Sequence, residues 1–199
     1  TLPVMMWHCG DRGWLEVICG PMFSGKSEEL IRRVTRAAIA RLPVQVFKPA
    51  IDDRYATTEI VSHSSLSVAA IPVDDSNELL EKVEDRTEVL GIDEGQFFDD
   101  GLVDVVDRLA SSGVQVIVAG LDLDYLRRPF HPIPELCGRA EYVTKSLAVC
   151  HRCGGPALYT QRIVRSDDLV VLGATGAYEA RCRHCYSPEE GQQAELAIG

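Results

Sequence analysis

The residues with the clearest chemistry form a phosphate-binding pattern close to the start of the chain. Gly20, Gly25, Lys26 and Ser27 fill every fixed position of the sequence Gly-x-x-x-x-Gly-Lys-Ser/Thr. The glycines allow a tight loop with inward N–H groups, the lysine reaches the β- and γ-phosphates of a nucleotide, and the serine hydroxyl ligates Mg²⁺. Because chance produces such a match in about 1% of chains of this length, the pattern predicts nucleotide binding. The residues assigned to the nucleotide are Gly20, Pro21, Met22, Phe23, Ser24, Gly25, Lys26 and Ser27.

Two adjacent carboxylates, Asp93 and Glu94, follow an apolar stretch in the middle of the chain. Asp93 has the position at which a P-loop protein holds the acidic group for Mg²⁺, although an Asp after a strand is by itself more often a loop residue or a helix cap. Glu94 could orient a water for hydrolysis or accept a proton from a substrate hydroxyl, since both tasks need a carboxylate beside the γ-phosphate. A solvent-facing partner of Asp93 is the third interpretation. Position alone leaves water and alcohol both open.

Four cysteines form two Cys-x-x-Cys pairs separated by 28 residues: Cys150, Cys153, Cys182 and Cys185. Four thiolates at this spacing can hold one tetrahedral Zn²⁺. Because four sulfur ligands leave no open position, the pattern predicts a structural zinc, and the second pair argues against a thioredoxin-like redox role. His151 and His184 lie within the pairs and are predicted to be spectators.

The regular elements around these motifs predict an α/β fold. Apolar stretches alternate with amphipathic ones, which is typical of a parallel sheet covered by helices on both faces. The predicted strands are Trp14–Cys19, Val44–Phe47, Val68–Val73, Val89–Ile92, Val114–Ala119 and Tyr142–Val149. The predicted helices follow the phosphate loop, span Ser76–Val83, and run from Leu102 to a stop at Gly113. Residues 121–139 are predicted to be a loop, and residues from about 146 onward a small β-ribbon around the metal.

Composition and charge exclude several other classes of protein. The chain has 199 residues, of which 46% are hydrophobic and 25% charged, as in an ordinary soluble domain. Its apolar runs are far shorter than a bilayer span, and Thr1–Arg12 does not resemble a secretory signal, so we expect a cytoplasmic protein without a membrane partner. A net charge of -10 disfavours nucleic-acid binding, because such binding depends on Lys and Arg displacing counterions.

A series of longer motifs gives the chain a family resemblance. They are the Gly20–Ser27 loop, Lys48-Pro49-x-x-Asp52-x-Arg54-Tyr55, Ile92-Asp93-Glu94-Gly95-Gln96-Phe97-Phe98, Gly120-Leu121-Asp122-x-Asp124-Tyr125-x-x-x-Pro129-Phe130, and the two cysteine pairs. In this order they resemble the type II thymidine kinases, the zinc-containing class with a RecA-like ATP-binding core. The resemblance covers residues 15–186.

The resemblance implies transfer of a phosphate from ATP, with Mg²⁺, to the 5′-hydroxyl of thymidine or deoxyuridine. It makes Glu94 the general base, Arg54 the arginine that stabilises the phosphates, and Asp52 the acidic residue of the same motif. It also implies a set of residues that enclose the nucleoside: Met22, Phe97, Leu121, Tyr125, Phe130 and Tyr178. Apolar and aromatic groups of this kind suit the flat faces and methyl group of thymine. Tyr125 stands where Phe is commoner in the family.

The resemblance further divides the chain into an ATP-binding domain at 14–145 and a zinc domain at 146–186, with flexible termini at 1–13 and 187–199. In this division Gln161–Ala180 resembles the family's lasso loop, which binds the base largely through backbone groups and is tied at both ends by zinc. His63 matches only weakly and is interpreted as a loop histidine. A homotetramer and feedback inhibition by dTTP are implied as well.

Two other functions share part of the pattern. A RecA-like ATPase with a DNA-binding zinc ribbon would have the same phosphate loop, carboxylates and cysteines, but it should carry a basic, aromatic face, which this acidic chain lacks. A nucleotide-binding regulatory module would not need Glu94. ADP release with thymidine, with single-stranded DNA and with neither distinguishes the three.

Overall fold

The centre of the computed structural model, which describes residues 13–50, 59–61, 67–164 and 176–187, is a six-stranded parallel sheet. The elements are β1 Trp14–Cys19, α1 Lys26–Ile39, β2 Val44–Pro49, β3 Glu59–Val61, β4 Ser67–Ala69, β5 Ile71–Val73, α2 Ser76–Lys82, β6 Val89–Ile92, α3 Leu102–Ser111, β7 Gln115–Gly120, α4 Ile133–Arg139, β8 Tyr142–Lys145, β9 Ala148–Val149, β10 Pro156–Ala157, β11 Tyr159–Arg162 and β12 Tyr178–Arg181. The sheet has the order β5-β2-β6-β7-β1-β8, and the pairs β3-β4, β9-β10 and β11-β12 form three small antiparallel sheets.

Both faces of the large sheet are buried under helices. Along β7, Val116 and Val118 belong to the core cluster that contains α2, α3 and α4, whereas Ile117 and Ala119 belong to the cluster on α1. This alternation is what a strand with two buried faces requires, because successive side chains point to opposite sides. The predicted α/β fold with helices on both faces is confirmed.

The register of the sheet brings the predicted chemical residues to one edge. Cys19 lies opposite Gly120, and Ile92 lies opposite Val118. Because the strands are parallel, the loops that follow β1, β6 and β7 leave the sheet at the same edge. The phosphate loop, Asp93–Glu94 and the segment from Leu121 onward therefore lie side by side.

Residues 133–139 form helix α4, so the prediction of a continuous loop over 121–139 is wrong for this part. Pro134 lies in the first turn, where its fixed φ and missing N–H are tolerated. Ile133 and Leu136 are fully buried in the main core. Burial of these two side chains outweighs the prolines that suggested a loop.

Two predicted strands are each divided. Val68–Val73 contains the end of β4 and all of β5, which pair with different neighbours, and Pro72 lies in an edge strand, where a missing donor is tolerated. The predicted strand Tyr142–Val149 separates into β8 and β9 because the chain leaves the sheet at Ser146, whose N–H donates to the Cys19 carbonyl at 2.8 Å.

The longest helix in the described ranges is α1, with 14 residues, and none there has the length and apolar character needed to cross a bilayer. The predicted flexible termini lie outside the described residues except for Gly13 and Ser187.

Candidate active site

The phosphate loop joins β1 to α1 through backbone conformations that favour glycine. Gly20 has a φ of 143° and Gly25 a φ of 77°. A Cβ atom at Gly20 would lie 2.2 Å from the Ser146 carbonyl oxygen, which backbone movement alone could relieve. Since Gly25 at the start of α1 brings no capping side chain, the first N–H groups of the helix remain available to an anion.

Side chains of the loop close over its own backbone. The Lys26 ammonium and the Ser24 hydroxyl both donate to the Pro21 carbonyl, each at 2.8 Å. Lys26 is thus held at the loop that the sequence predicts to bind phosphate. The predicted phosphate-binding residues therefore share one cradle.

Ser27 and Asp93 meet at the base of this cradle. The Ser27 hydroxyl donates to Asp93 Oδ1 at 3.2 Å, although the two residues are 66 positions apart in the sequence. Burial, followed by repulsion from Glu94, raises the pKa of Asp93 to about 7. A hydroxyl and a carboxylate are the hard oxygen donors that Mg²⁺ prefers, and a cation held there would favour the ionised form of the carboxylate. The two residues fit the predicted magnesium site.

Glu94 is held in place by a neighbour that the sequence analysis did not assign. Its backbone has a φ of 50°, an uncommon conformation for a non-glycine residue, and it begins a short 3₁₀ turn at Gly95–Phe97. The Gln96 side-chain amide donates to Glu94 Oε2 at 2.5 Å and accepts from the Leu121 N–H at 2.9 Å. Because a carboxylate only accepts and an N–H only donates, these partners fix the orientation of the amide.

The residues predicted to enclose the nucleoside come from four segments: the phosphate loop, the turn after β6, the loop after β7, and β12. Phe97 and Phe130 form an edge-to-face pair with ring centroids 6.2 Å apart. Tyr125 and Tyr178 are bridged by Arg162, a buried residue of β11. Leu121 is tied to Glu94 through Gln96. The Met22 N–H donates to the Thr160 hydroxyl at 3.0 Å, which joins the phosphate loop to β11.

The chain that follows the large sheet, residues 146–164 and 176–187, is called the cysteine module here. A second contact fixes it to the loop that carries Tyr125. The Tyr186 hydroxyl donates to the Tyr125 carbonyl at 2.7 Å, and Arg127 lies over the Tyr186 ring with its Cζ 4.7 Å from the centroid. Burial raises the pKa of Tyr186, so the hydroxyl keeps its proton for this hydrogen bond.

The four predicted metal ligands, Cys150, Cys153, Cys182 and Cys185, form one cluster. Their sulfur atoms all lie within 4.8 Å of one another. The Cys153 and Cys182 sulfurs are 3.7 Å apart, close to the separation of about 3.8 Å that tetrahedral Zn–S bonds impose. Burial acts to raise the pKa of Cys150, but N–H groups of the two loops outweigh it and bring this pKa to about 6. The cluster can hold a metal ion, and its all-sulfur donor set fits zinc.

The histidines near the cluster are exposed, and His151 faces Glu179 at 3.5 Å between Nε2 and Oε1. Several predicted residues lie outside the described part of the chain: Asp52, Arg54, His63 and the central part of the Gln161–Ala180 segment, residues 165–175.

Three residues of the site carried no signal strong enough for the sequence analysis. Gln96 lies within a quoted motif, yet a glutamine beside two carboxylates indicates no particular role. Thr160 and Arg162 lie on β11 and are 5% and 1% exposed, respectively. A buried arginine is rare without a partner, but its aromatic partners become visible only when β11 is placed beside the loop after β7.

Comparisons with known proteins indicate one family. The family model described as "Thymidine kinase" matches residues 13–186. A protein from Rhodothermus sp. (strain ITI 518) named thymidine kinase is 52% identical over 186 residues, which cover 94% of this chain and 87% of that protein.

Proposed function

The chain belongs to the thymidine kinase family, and we propose that the cluster around Ser27, Asp93 and Glu94 is its catalytic site. The reaction is transfer of the γ-phosphate of ATP to the 5′-hydroxyl of thymidine, giving dTMP and ADP in nucleotide salvage. The observation that carries this assignment is the contact of Ser27 with Asp93 directly beside Glu94, which Gln96 anchors. This contact supports a nucleotide site and a candidate base at the same edge of the sheet.

The phosphate loop is proposed to bind the triphosphate of ATP. Inward N–H groups and the start of α1 supply partial positive charge, and Lys26 adds a full charge near the β- and γ-phosphates. Ser27 and Asp93 are proposed to hold Mg²⁺. When bound there, the cation offsets the negative charge that develops on the phosphate oxygens.

Glu94 is proposed to accept the proton of the 5′-hydroxyl as the oxygen forms its bond to the γ-phosphorus and the bond to the bridging oxygen of ADP breaks. Its half-buried position and its hydrogen bond from Gln96 keep the carboxylate in one orientation. Arg54 and Asp52 complete the phosphate site in this proposal, on the basis of the family resemblance.

The nucleoside is proposed to lie among Met22, Phe97, Leu121, Tyr125, Phe130 and Tyr178. The Phe97–Phe130 pair and the bridged tyrosines supply flat apolar surfaces for the base. Deoxyuridine should bind in the same way. The segment Gln161–Ala180 is proposed to act as a lasso over the base, with a structural zinc at the four cysteines holding its two ends.

The family resemblance also supports a cytoplasmic homotetramer inhibited by dTTP, with the ATP-binding domain at 14–145 and the zinc domain at 146–186. Size-exclusion chromatography with light scattering measures the assembly. Inhibition by dTTP against varied thymidine measures the feedback, and limited proteolysis measures the domain boundary.

The function is tested by ADP release in the presence of ATP and Mg²⁺ with thymidine, with single-stranded DNA and with neither. We expect release to depend on thymidine and to match the formation of dTMP. Release stimulated by DNA alone would instead support the zinc-ribbon ATPase. Nucleotide binding without turnover under all three conditions would support the regulatory module.

A further inference from the structure

Arg162 is a buried cation that joins the two tyrosines of the proposed nucleoside pocket. Its side chain is 1% exposed. The guanidinium Cζ lies 3.7 Å from the centroid of the Tyr125 ring, and Nη2 donates to the Tyr178 hydroxyl at 3.0 Å. Tyr125 belongs to the loop after β7 and Tyr178 to β12, so one side chain spans two walls that are distant in sequence.

The chemistry of these contacts requires arginine. A planar guanidinium can stack on one aromatic face and still direct an N–H at a second group, whereas a lysine ammonium has no flat face to stack. Burying a charge is costly, and an apolar side chain would fill the same space at least as favourably for folding. The arginine is therefore better explained by the geometry it imposes on its partners than by stability alone.

Other contacts already hold the cysteine module against the sheet. The Met22 N–H bonds to Thr160, and the Tyr186 hydroxyl bonds to the Tyr125 carbonyl. Neither involves the Arg162 side chain. Loss of this side chain should thus leave the module docked while it removes the contacts that Arg162 makes with the Tyr125 and Tyr178 side chains.

We propose that Arg162 is a positioning residue for the nucleoside, which sets the spacing and tilt of the two tyrosines between which the base binds. This inference rests on the proposed function. It requires that Arg162 affects the use of thymidine far more than the use of ATP, because Arg162 contacts both tyrosines of the proposed nucleoside pocket.

Steady-state kinetics of Arg162→Met, with Arg162→Lys and the control Arg183→Met, test the proposal. Arg183 belongs to the same module, is exposed, and lies over the Tyr159 ring with its Cζ 5.4 Å from the centroid. We expect Arg162→Met to raise the KM for thymidine by about ten- to a hundredfold, as loss of a desolvated cation–π contact and a charged hydrogen bond implies. Its KM for ATP and its kcat at saturating thymidine should stay within about threefold. The KM of Arg162→Lys for thymidine should lie between those of the native protein and Arg162→Met. The KM of Arg183→Met should match that of the native protein.

Tyr178→Phe removes only the hydroxyl that accepts from Arg162 and gives a milder perturbation. Zinc content and thermal unfolding show whether each variant is folded. If Arg162→Met does not fold, the proposal is tested with Arg162→Lys, Tyr178→Phe and their double variant. Positioning through the tyrosine predicts that the effects of the two substitutions on the KM for thymidine are less than multiplicative in the double variant.

A folded, zinc-loaded Arg162→Met whose thymidine KM lies within twofold of the native value would overturn the proposal. Equal increases in KM for ATP and thymidine, or fully multiplicative effects in the double variant, would do the same. Native protein that shows no thymidine-dependent ADP release would overturn the proposed function itself, which is a different result from any of these.

Discussion

Replacement of Gln96 by Glu gives the sharpest test of the catalytic geometry, because it keeps the shape of the side chain. It replaces the N–H group that donates to Glu94 with a carboxylate oxygen. One carboxylate oxygen can still accept from the Leu121 N–H. The other oxygen then faces Glu94 Oε2, where the amide now donates at 2.5 Å. Two carboxylates at such a distance share a proton, as in the paired acids of aspartic proteases.

The size of the effect on ionisation of the pair follows from one lost hydrogen bond and one added repulsion between charges. A hydrogen bond to a charged group contributes about 1.5–3 kcal/mol, and two unit charges about 4 Å apart repel by about 4 kcal/mol at an effective dielectric of 20. Together these disfavour the doubly ionised pair by roughly 5.5–7 kcal/mol, or about 4 to 5 pH units at 1.36 kcal/mol per unit. The second proton of the pair is therefore lost only at alkaline pH, and below that pH Glu94 shares a proton with the new carboxylate and is a poorer proton acceptor.

The assay is the pH dependence of kcat/KM for thymidine at saturating ATP and Mg²⁺. We expect Gln96→Glu to be slower than the native enzyme at pH 7 by at least about tenfold and to recover as the pH approaches 9. The control Gln96→Met also loses the bond to Glu94 but adds no charge, so its activity should fall without a rising alkaline limb. A Gln96→Glu enzyme with the native rate and profile would refute the reasoning.

Four further changes have defined outcomes. Glu94→Gln should lower turnover by roughly 10²–10⁴ with ATP binding nearly intact in a titration, and an undiminished rate would exclude the general base. Cys153→Ser should lose most of the zinc, expected at about one per chain by metal analysis, and should unfold at lower temperature, whereas Cys137→Ser should retain the metal. Asp99→Ala removes three hydrogen bonds to Ser76 and Gly101 and should lower the free energy of unfolding by about 2 kcal/mol, since Ser76 is buried. Burial acts to raise the pKa of Asp99, but these hydrogen bonds outweigh it and lower this pKa. The difference in the free energy of unfolding between Asp99→Ala and the native protein should therefore be largest above the usual carboxyl range and decrease as the pH falls through the lowered pKa, while Asp100→Ala should show no such difference in urea unfolding. Finally, kcat/KM should decrease from thymidine to deoxyuridine, with deoxycytidine far below both, because cytosine reverses the donor and acceptor at positions 3 and 4; deoxycytidine within tenfold of thymidine would contradict recognition through backbone groups.

Local sequence patterns predicted the sheet well because its strands are continuous apolar runs. The bounds of β1 and β6 agree with the prediction, and α3 ends before Gly113, which has a φ of 108°. Helix α4 was missed because Pro134 within it and Pro132 directly before it are local signals for a loop, whereas the burial of Ile133 and Leu136 is a property of the assembled core.

The candidate site could likewise be predicted only in part from the sequence. The phosphate loop could be predicted because its glycines, lysine and serine have a fixed spacing over eight residues. Asp93 could be predicted because it directly follows an apolar strand. The roles of Gln96 and Arg162 depend on what lies across from them after folding, and no spacing in the sequence contains that information. The roles of positions 52 and 54 and of segment 165–175 remain predictions, because these residues lie outside the described part of the chain.

The hydrogen bond from the Met22 N–H to Thr160 joins residues 138 positions apart, and this separation orders events during synthesis on the ribosome. All six strands of the parallel sheet have been synthesised once Lys145 is made, and domains generally fold as units, the N-terminal ones first, during synthesis. Thr160, Arg162 and Tyr178 follow later. In the proposed site, the residues for ATP are therefore synthesised before the nucleoside pocket is complete, and thymidine is expected to stabilise only a chain that already includes Tyr178.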